Sequence, residues 1–307
     1  MKEIKKVLIC GIGAIGSIFA HKISKFDNEN LRILVDEKRF ESYTKNPKVF
    51  NGEQLNLNYV LPSEKNFKAD LILIATKFNT LDEVVKNIEN FVDKDTIIMS
   101  LLNGISSEEI LAQKYDWTNI PLAYFLGHSE LDENNHIIYD GKGIVVFGAK
   151  ENHTNPNIIE CIKKYFTDAN ISHRIPEDMI YSYWLKFLLN VSTNQPSAIL
   201  NLTFGQMTSN KSFMKMLESI MKEVQAIAKA EGVKNTENMI PEALQALHTL
   251  IPEGKTSTLQ DVEAKRITEV EMFAGTVIQL GKKHNIPTPY NLVMKEMIET
   301  IQDNYQF

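Results

Sequence analysis

The feature that most constrains this chain is a glycine pattern near its start, Gly11-Ile12-Gly13-Ala14-Ile15-Gly16. The apolar run Lys6-Val7-Leu8-Ile9-Cys10 precedes it, and Ile15, Ile18, Phe19 and Ile23 follow at helical spacing. Strand, glycine turn and helix start is the context in which G-x-G-x-x-G signifies phosphate binding. Gly11 permits the tight turn, Gly13 lets a pyrophosphate approach the backbone, and Gly16 lets the helix pack on the strand. The free N–H groups of the helix start, with its positive dipole end, then face the phosphates. The whole turn, including Ile12, Ala14 and Ile15, is expected to bind cofactor.

A second apolar run, Leu31-Arg32-Ile33-Leu34-Val35, ends at Asp36, twenty residues beyond Gly16, where a ribose-binding acid belongs. A carboxylate there accepts hydrogen bonds from ribose hydroxyls and repels a 2′-phosphate, which favours NAD(H). Lys38 and Arg39 follow closely, and either cation can pair with such a phosphate, so NADP(H) stays open. Alternatively, both are exposed loop charges.

Ala69 to Ala75 is a third strand, almost wholly apolar as in a parallel strand covered on both faces, and it runs into Thr76-Lys77. Thr96 to Leu102 is a fourth, delivering Asn103-Gly104 at its end, with Ser106 or Ser107 placed to cap the next helix. Ligands of open α/β sheets bind outside the C-terminal ends of the strands. The glycine turn, Thr76, Lys77 and Asn103 therefore converge on one crevice. Three further runs, Pro121–Gly127, Asn135–Tyr139 and Gly143–Ala149, are short. The turn signals Glu133-Asn134-Asn135 and Asp140-Gly141-Lys142-Gly143 split them, so they are expected as antiparallel strands extending the sheet. Pro156 to Phe166 closes the domain as a helix.

At 307 residues with 43% apolar content the chain can fill two cores. A net charge of −6 argues against a nucleic-acid partner, which needs a basic surface. Cys10 and Cys161 have no metal-like spacing, so neither a disulfide nor a metal site is expected. No signal peptide and no apolar run near the ~20 residues of a membrane span are visible. A cytoplasmic protein is the expectation.

Near Pro176 strand signals stop and helix signals take over. The expected division is therefore a dinucleotide-binding domain over 1–175 and an all-α domain over 176–307. Pro176 is placed to start a helix carrying Trp184, Lys186, Asn190 and Asn194, and Pro196 to kink or end it. The last three polar residues are spaced i, i+4, i+8 along one face of an otherwise apolar helix. Buried without partners, such a row is costly, so it points to a polar cleft; an exposed polar face is the alternative. Further helices are expected at Ser212–Glu231, Met239–Leu250, Thr258–His284 and Thr288–Ile301, with Ser257 and Gln260 forming a capping box.

These motifs together resemble the ketopantoate reductase family over nearly the whole chain. They are the glycine turn, Thr76-Lys77, Asn103-Gly104, Trp184-x-Lys186-x-x-x-Asn190-x-x-x-Asn194, and Ser257-x-Leu259-Gln260-Asp261 with Thr268-Glu269. The resemblance implies an α/β Rossmann-type parallel sheet with an antiparallel extension, joined to an all-α C-terminal domain. It also implies reduction of a 2-oxo acid to a D-2-hydroxy acid by a nicotinamide cofactor. Lys186 becomes the general acid, and Glu269 orients it or the nicotinamide end. Asn103, Asn190, Asn194 and Ser257 hold the substrate.

Asp36 replaces the basic residue of NADPH-using members and leans toward the family's NAD-dependent D-2-hydroxyacid dehydrogenases. The asparagine pair leans toward ketopantoate, whose extra hydroxyl needs partners. A small 2-oxo acid is the expected partner, and a homodimer is left open. Two other readings stand beside this one. A β-hydroxyacid dehydrogenase shares the domain plan but has a glycine-pair motif absent here, and an NAD(P)-sensing regulator has no need of the Lys186 row.

Overall fold

Strand β1 (Val7–Cys10) is buried at every residue and lies at the centre of a five-stranded parallel sheet in a computed structural model that describes residues 3–127, 129–132 and 136–306. The strands that follow in the chain are β2 (Leu31–Leu34), β3 (Val49–Phe50), β4 (Glu53–Gln54), β5 (Tyr59–Val60), β6 (Leu71–Ile74) and β7 (Ile97–Ser100). After them come β8 (Leu122–Leu126), β9 (Ser129–Leu131), β10 (Ile137–Tyr139), β11 (Ile144–Gly148) and β12 (His173–Arg174). The parallel sheet has the order β5-β2-β1-β6-β7. Strands β1, β6 and β7 show unbroken burial, because both sheet faces are covered and no alternation is needed. Strand order reverses between β1 and β6, and the glycine turn leaves the C-terminal end of β1 at that switch point.

Helices α1 (Ala14–Asp27), α2 (Glu37–Lys45), α3 (Leu81–Asn87), α4 (Ser107–Ala112) and α5 (Pro156–Asp168) accompany the strands. Helix α1 buries Ile18, Phe19 and Ile23, and Phe19 meets Phe125 edge-on with centroids 6.0 Å apart. Helix α5 starts as expected, with Pro156 in its first turn and the Asn155 side chain accepting from the Asn157 N–H. Helix α2 was not anticipated. It buries no residue, so the sequence carries no apolar period there.

The antiparallel strands form, but in two sheets of their own. Strand β8 pairs with β11, which also pairs with β12, while β9 pairs with β10 beside β3 and β4. Strand β7 remains the edge of the parallel sheet. The turn signal Glu133-Asn134-Asn135 lies outside the described residues. Ser106 does not cap α4, because its buried hydroxyl has no hydrogen-bond partner. Ser107 instead accepts from Ser100 and donates to the buried Glu108.

Contacts divide the chain into two units, Met1–Asn103 with Ser107–Met179, and Gly104–Ser106 with Ile180–Phe307. The second is built from α6 (Met179–Leu200), α7 (Phe204–Ser209), α8 (Lys211–Ala230), α9 (Met239–Leu247), α10 (Ser257–Glu263), α11 (Thr276–His284) and α12 (Pro289–Asp303). Helix α6 starts three residues after Pro176 and continues through Pro196 rather than stopping there. Around the proline, Ser192, Thr193 and Gln195 donate back to the carbonyls of Leu188, Leu189 and Val191 on their own helix, and the buried Gln195 Oε1 is left without a partner.

The helix expected from Thr258 to His284 is three pieces. Helix α10 ends at Glu263 and is closed two residues on by Lys265, whose φ of 52° is left-handed. Lys265 N–H donates to the Val262 carbonyl and Arg266 N–H to that of Asp261, a Schellman ending without glycine. A π-helical turn, Glu271–Gly275, then precedes α11. The cap of α10 is Thr256, whose hydroxyl accepts from the Leu259 N–H, and Gln260 reaches Lys255 O, so the Ser257–Gln260 capping box does not form. Helix α12 has no cap of its own; the buried Glu223 carboxylate of α8 accepts from the N–H groups of Tyr290 and Asn291 instead.

Candidate functional site

The glycine turn has the stereochemistry its spacing implies. Gly11 has φ of +91°, and a Cβ there would stand 2.8 Å from the Ala75 carbonyl oxygen and from Thr76 Cγ2. Gly16 packs onto the same turn. Gly13 differs, because a Cβ built on it meets nothing within 4 Å. Gly13 also occupies the N-cap of α1, where no side chain caps the first-turn N–H groups. Beside the turn, the buried Thr76 hydroxyl has no hydrogen-bond partner. Open space, uncapped amides and an orphaned hydroxyl suit a pyrophosphate, so the residues fit the dinucleotide. Ile12 is buried, and Ala14 and Ile15 are partly so, which leaves their backbone as the part available to a ligand.

Asp36 is not a bare carboxylate. It caps α2, with Oδ1 accepting the Arg39 N–H at 2.7 Å and Oδ2 paired with the Arg39 guanidinium. Sequence reasoning placed both charges but not their pairing. Both side chains keep much of their surface in solvent, 42% for Asp36 and 62% for Arg39, so solvent screens the pair and it is easily opened. Lys38 is exposed.

Lys77 is exposed at the turn after β6, where its carbonyl accepts from the Thr80 N–H and hydroxyl. Asn103 is half-buried after β7. The next residue, Gly104, lies against Met272, so close that a Cβ would come within 2.5 Å of Met272 Cγ.

In the helical unit, Lys186, Asn190 and Asn194 occupy successive turns of α6 as their spacing requires. The row is buried rather than exposed at its far end: Asn190 retains 7% of its surface and Asn194 6%. Lys186 keeps part of its surface accessible, yet desolvation by burial lowers its ammonium from the ordinary value to about 8. The structure brings Asn190, Asn194 and Ser257 together. Asn194 Nδ2 donates to the Asn190 carbonyl at 3.1 Å, and Ser257 Oγ donates to Asn194 Oδ1 at 3.0 Å. Glu269 is half-buried on the segment between α10 and the π-helical turn, where its carbonyl accepts the Phe273 N–H. Because α10 ends at Glu263, Glu269 does not lie along a straight helix from Ser257.

Residues missed in the sequence are Ser197, Thr256 and Thr258. Ser197 and Thr256 join hydroxyl to hydroxyl at 2.6 Å, and Thr258 donates both N–H and hydroxyl to Asn194. The run Thr256-Ser257-Thr258 signalled a cap, but three equivalent side chains hid which one serves. Among the described residues no group of His, Cys, Asp or Glu could hold a metal, and no helix is long and apolar enough to cross a membrane.

Comparison with known proteins matches residues 7–152 to the family model "Ketopantoate reductase PanE/ApbA" and residues 178–302 to its C-terminal counterpart. A curated 2-dehydropantoate 2-reductase of Streptococcus pyogenes serotype M3 is 26% identical over 95% of this chain and 96% of its own length. The ternary structure of D-mandelate dehydrogenase with NADH and anilino(oxo)acetate superposes with a TM-score of 0.87 at 23% identity, covering 98% of this chain and 100% of that one. A dimeric ketopantoate reductase from Staphylococcus aureus superposes at 0.78 and 18% identity, covering 97% and 99%.

Proposed function

The chain belongs to the ketopantoate reductase family, and from that premise we propose that it reduces a branched 2-oxo acid to the D-2-hydroxy acid with a nicotinamide cofactor, NADH in preference to NADPH. The observation that carries this reading is Lys186, an amine whose pKa burial has brought to about 8, on the helix face that also holds Asn190.

A nicotinamide cofactor held there would supply the hydride for C2. Lys186 would stabilise the negative charge that grows on the carbonyl oxygen and pass it a proton. An amine with pKa near 8 is still mostly protonated at neutral pH and gives up its proton more readily than an ordinary lysine. It regains the proton from water, so substrate, reduced cofactor and one proton become hydroxy acid and oxidised cofactor. Asn103 and Asn190 orient the substrate's polar groups, and Glu269 orients Lys186 or the nicotinamide end. The turn Gly11–Gly16, with Thr76 and Lys77, holds the pyrophosphate, and Asp36 holds the ribose.

A second reading is supported by the Asp36–Arg39 pair. Arg39 partly cancels the carboxylate and can turn to a 2′-phosphate, so the chain would be an NADPH-using 2-dehydropantoate 2-reductase. A panel of ketopantoate, 2-oxoisocaproate, 2-oxoisovalerate and benzoylformate, each with NADH and NADPH, tests both. Preferred turnover of a hydroxyl-free acid with NADH supports the first, and preferred turnover of ketopantoate with NADPH the second. Tight cofactor binding with no turnover of any acid would reject both in favour of a sensing role.

A further inference from the structure

Glu269 ends a stretch, residues 266–269, that belongs to no helix or strand. Outside regular structure, a segment's place is set by the ties it makes to its neighbours. Upstream, Arg266 is fastened to α10, its N–H donating to the Asp261 carbonyl and its Nε to Asp261 Oδ1, both at 2.8 Å. Around Glu269 itself the ties run to α12. Lys295, Ile298 and Gln302 recur at i, i+3 and i+7, which puts them on one face of that helix. Gln302 Oε1 accepts the Thr268 N–H at 2.6 Å, Ile298 shares a buried apolar cluster with Val270, and Lys295 Nζ pairs with Glu271 Oε1 at 2.7 Å. One helix face thus holds the residue before Glu269 and the two after it, in antiparallel order. The Gln302 amide has its orientation forced, because a backbone N–H can only donate. The polar ties differ in weight. Thr268 retains 7% of its surface, so little water is at hand to replace a lost Gln302 oxygen. Glu271 leaves 62% of its side chain in solvent, and Lys295 also reaches Glu299, so that ion pair directs the segment more than it secures it.

We propose that Gln302 and Lys295 are positioning residues for Glu269, that α12 is the support on which its carboxylate is set, and that Gln302 carries most of the effect. This rests on the reductase reading above, in which Glu269 orients Lys186 or the nicotinamide end. Neither positioning residue has to touch substrate or cofactor. A backbone shift of about 1 Å at Thr268 carries over to the adjoining carboxylate, and misplacement on that scale can cost about 10²-fold in rate. The last helix, which bears no site motif of its own, thereby acquires a part in the reaction.

Turnover is measured with the fastest acid of the panel above and its preferred cofactor at saturation. Gln302→Leu, which keeps much of the bulk and removes the acceptor, should lower kcat by about tenfold or more and leave the dissociation constant of the cofactor within about twofold. Gln302→Glu, which keeps an acceptor oxygen in place, should hold kcat within about threefold of the unaltered protein. Lys295→Met should lower kcat by about two- to threefold, and stands in if the leucine variant fails to fold. The deciding comparison is made in a Glu269→Gln background. There Gln302→Leu should cost less than about twofold, because it acts through a carboxylate already removed. The same fractional loss in both backgrounds would show a general effect on packing and overturn the proposal. So would a kcat unmoved by Gln302→Leu, or a Gln302→Glu variant as poor as the leucine one. Amide exchange at Thr268 should quicken in Gln302→Leu and not in Gln302→Glu. If the unaltered protein reduces none of the acids, or Glu269→Gln is fully active, the reading of Glu269 fails. Exchange at Thr268 still decides whether α12 holds the segment, and unchanged exchange in Gln302→Leu would overturn that as well.

Discussion

A Cβ built on Gly16 would lie 1.9 Å from the carbonyl oxygen of Gly11. Helix α1 thus packs against the very turn that launches it, while Gly13, between them, faces open space. Gly16→Ala should destabilise the fold by about 1–3 kcal/mol or more, because backbone and not a flexible side chain must move. Gly13→Ala should leave stability within about 0.5 kcal/mol and weaken cofactor binding at least about tenfold, by filling the space meant for phosphate. Thermal melts with and without NADH separate the two, and equal effects at both positions would contradict the assignment of the turn.

Thr76 makes a sharper version of the same test. Its hydroxyl is buried without a partner, a cost to the cofactor-free protein. Thr76→Val should therefore raise the melting temperature of the protein alone, by up to about 1 kcal/mol in stability, and reduce the further stabilisation that NADH brings. A variant less stable without ligand would mean that the hydroxyl already has a partner.

Lys186→Met should cut kcat by about 10²–10⁴-fold with cofactor affinity little changed. Reduction by the unaltered protein should fall as pH rises through about 8, where the ammonium is lost. Stability should move the opposite way. The folded amine releases its proton below the unfolded value, so the unfolded chain binds more protons between about pH 8 and 10.5 and stability rises with pH there. Below that window the buried ammonium is a standing cost. Its removal should stabilise the methionine variant near neutrality by about 1–3 kcal/mol, discounted for the amine's partial exposure. Differential scanning calorimetry of both proteins at pH 7 and pH 10 would show it, and a destabilised variant would refute it.

At the end of β2, Asp36→Ala should narrow the ratio of NADH to NADPH rates, and Arg39→Ala should widen it, since the guanidinium shields the carboxylate from a 2′-phosphate. An unchanged ratio in both variants would place the ribose elsewhere.

Lys265→Gly should stabilise the chain by up to about 1 kcal/mol, because φ of 52° strains any residue with a Cβ. Unchanged or lower stability would argue against a helix break between Glu263 and Glu269.

Much of this architecture is legible in residue order. The glycine spacing, the acid after β2 and the apolar runs of β1, β6 and β7 identify a dinucleotide-binding sheet. The four-residue interval from Lys186 to Asn190 to Asn194 places three side chains on one face. What escaped notice had weak local signals. Helix α2 buries nothing and so lacks an apolar period, and the break after α10 uses lysine where glycine is the usual sign.

Local chemistry, repeated along the chain, thus determined most of the elements and their types and pointed to candidate residues for a cofactor and a proton donor. Only the folded molecule decided what those side chains do there. It placed Arg39 on Asp36, turned Asn194 toward Ser257 and Thr258, and stripped enough water from Lys186 to lower its pKa. Hydrogen-bond partners and desolvation depend on atoms brought close by packing, 63 residues away along the chain in the case of Asn194 and Ser257, and no window of sequence contains that proximity.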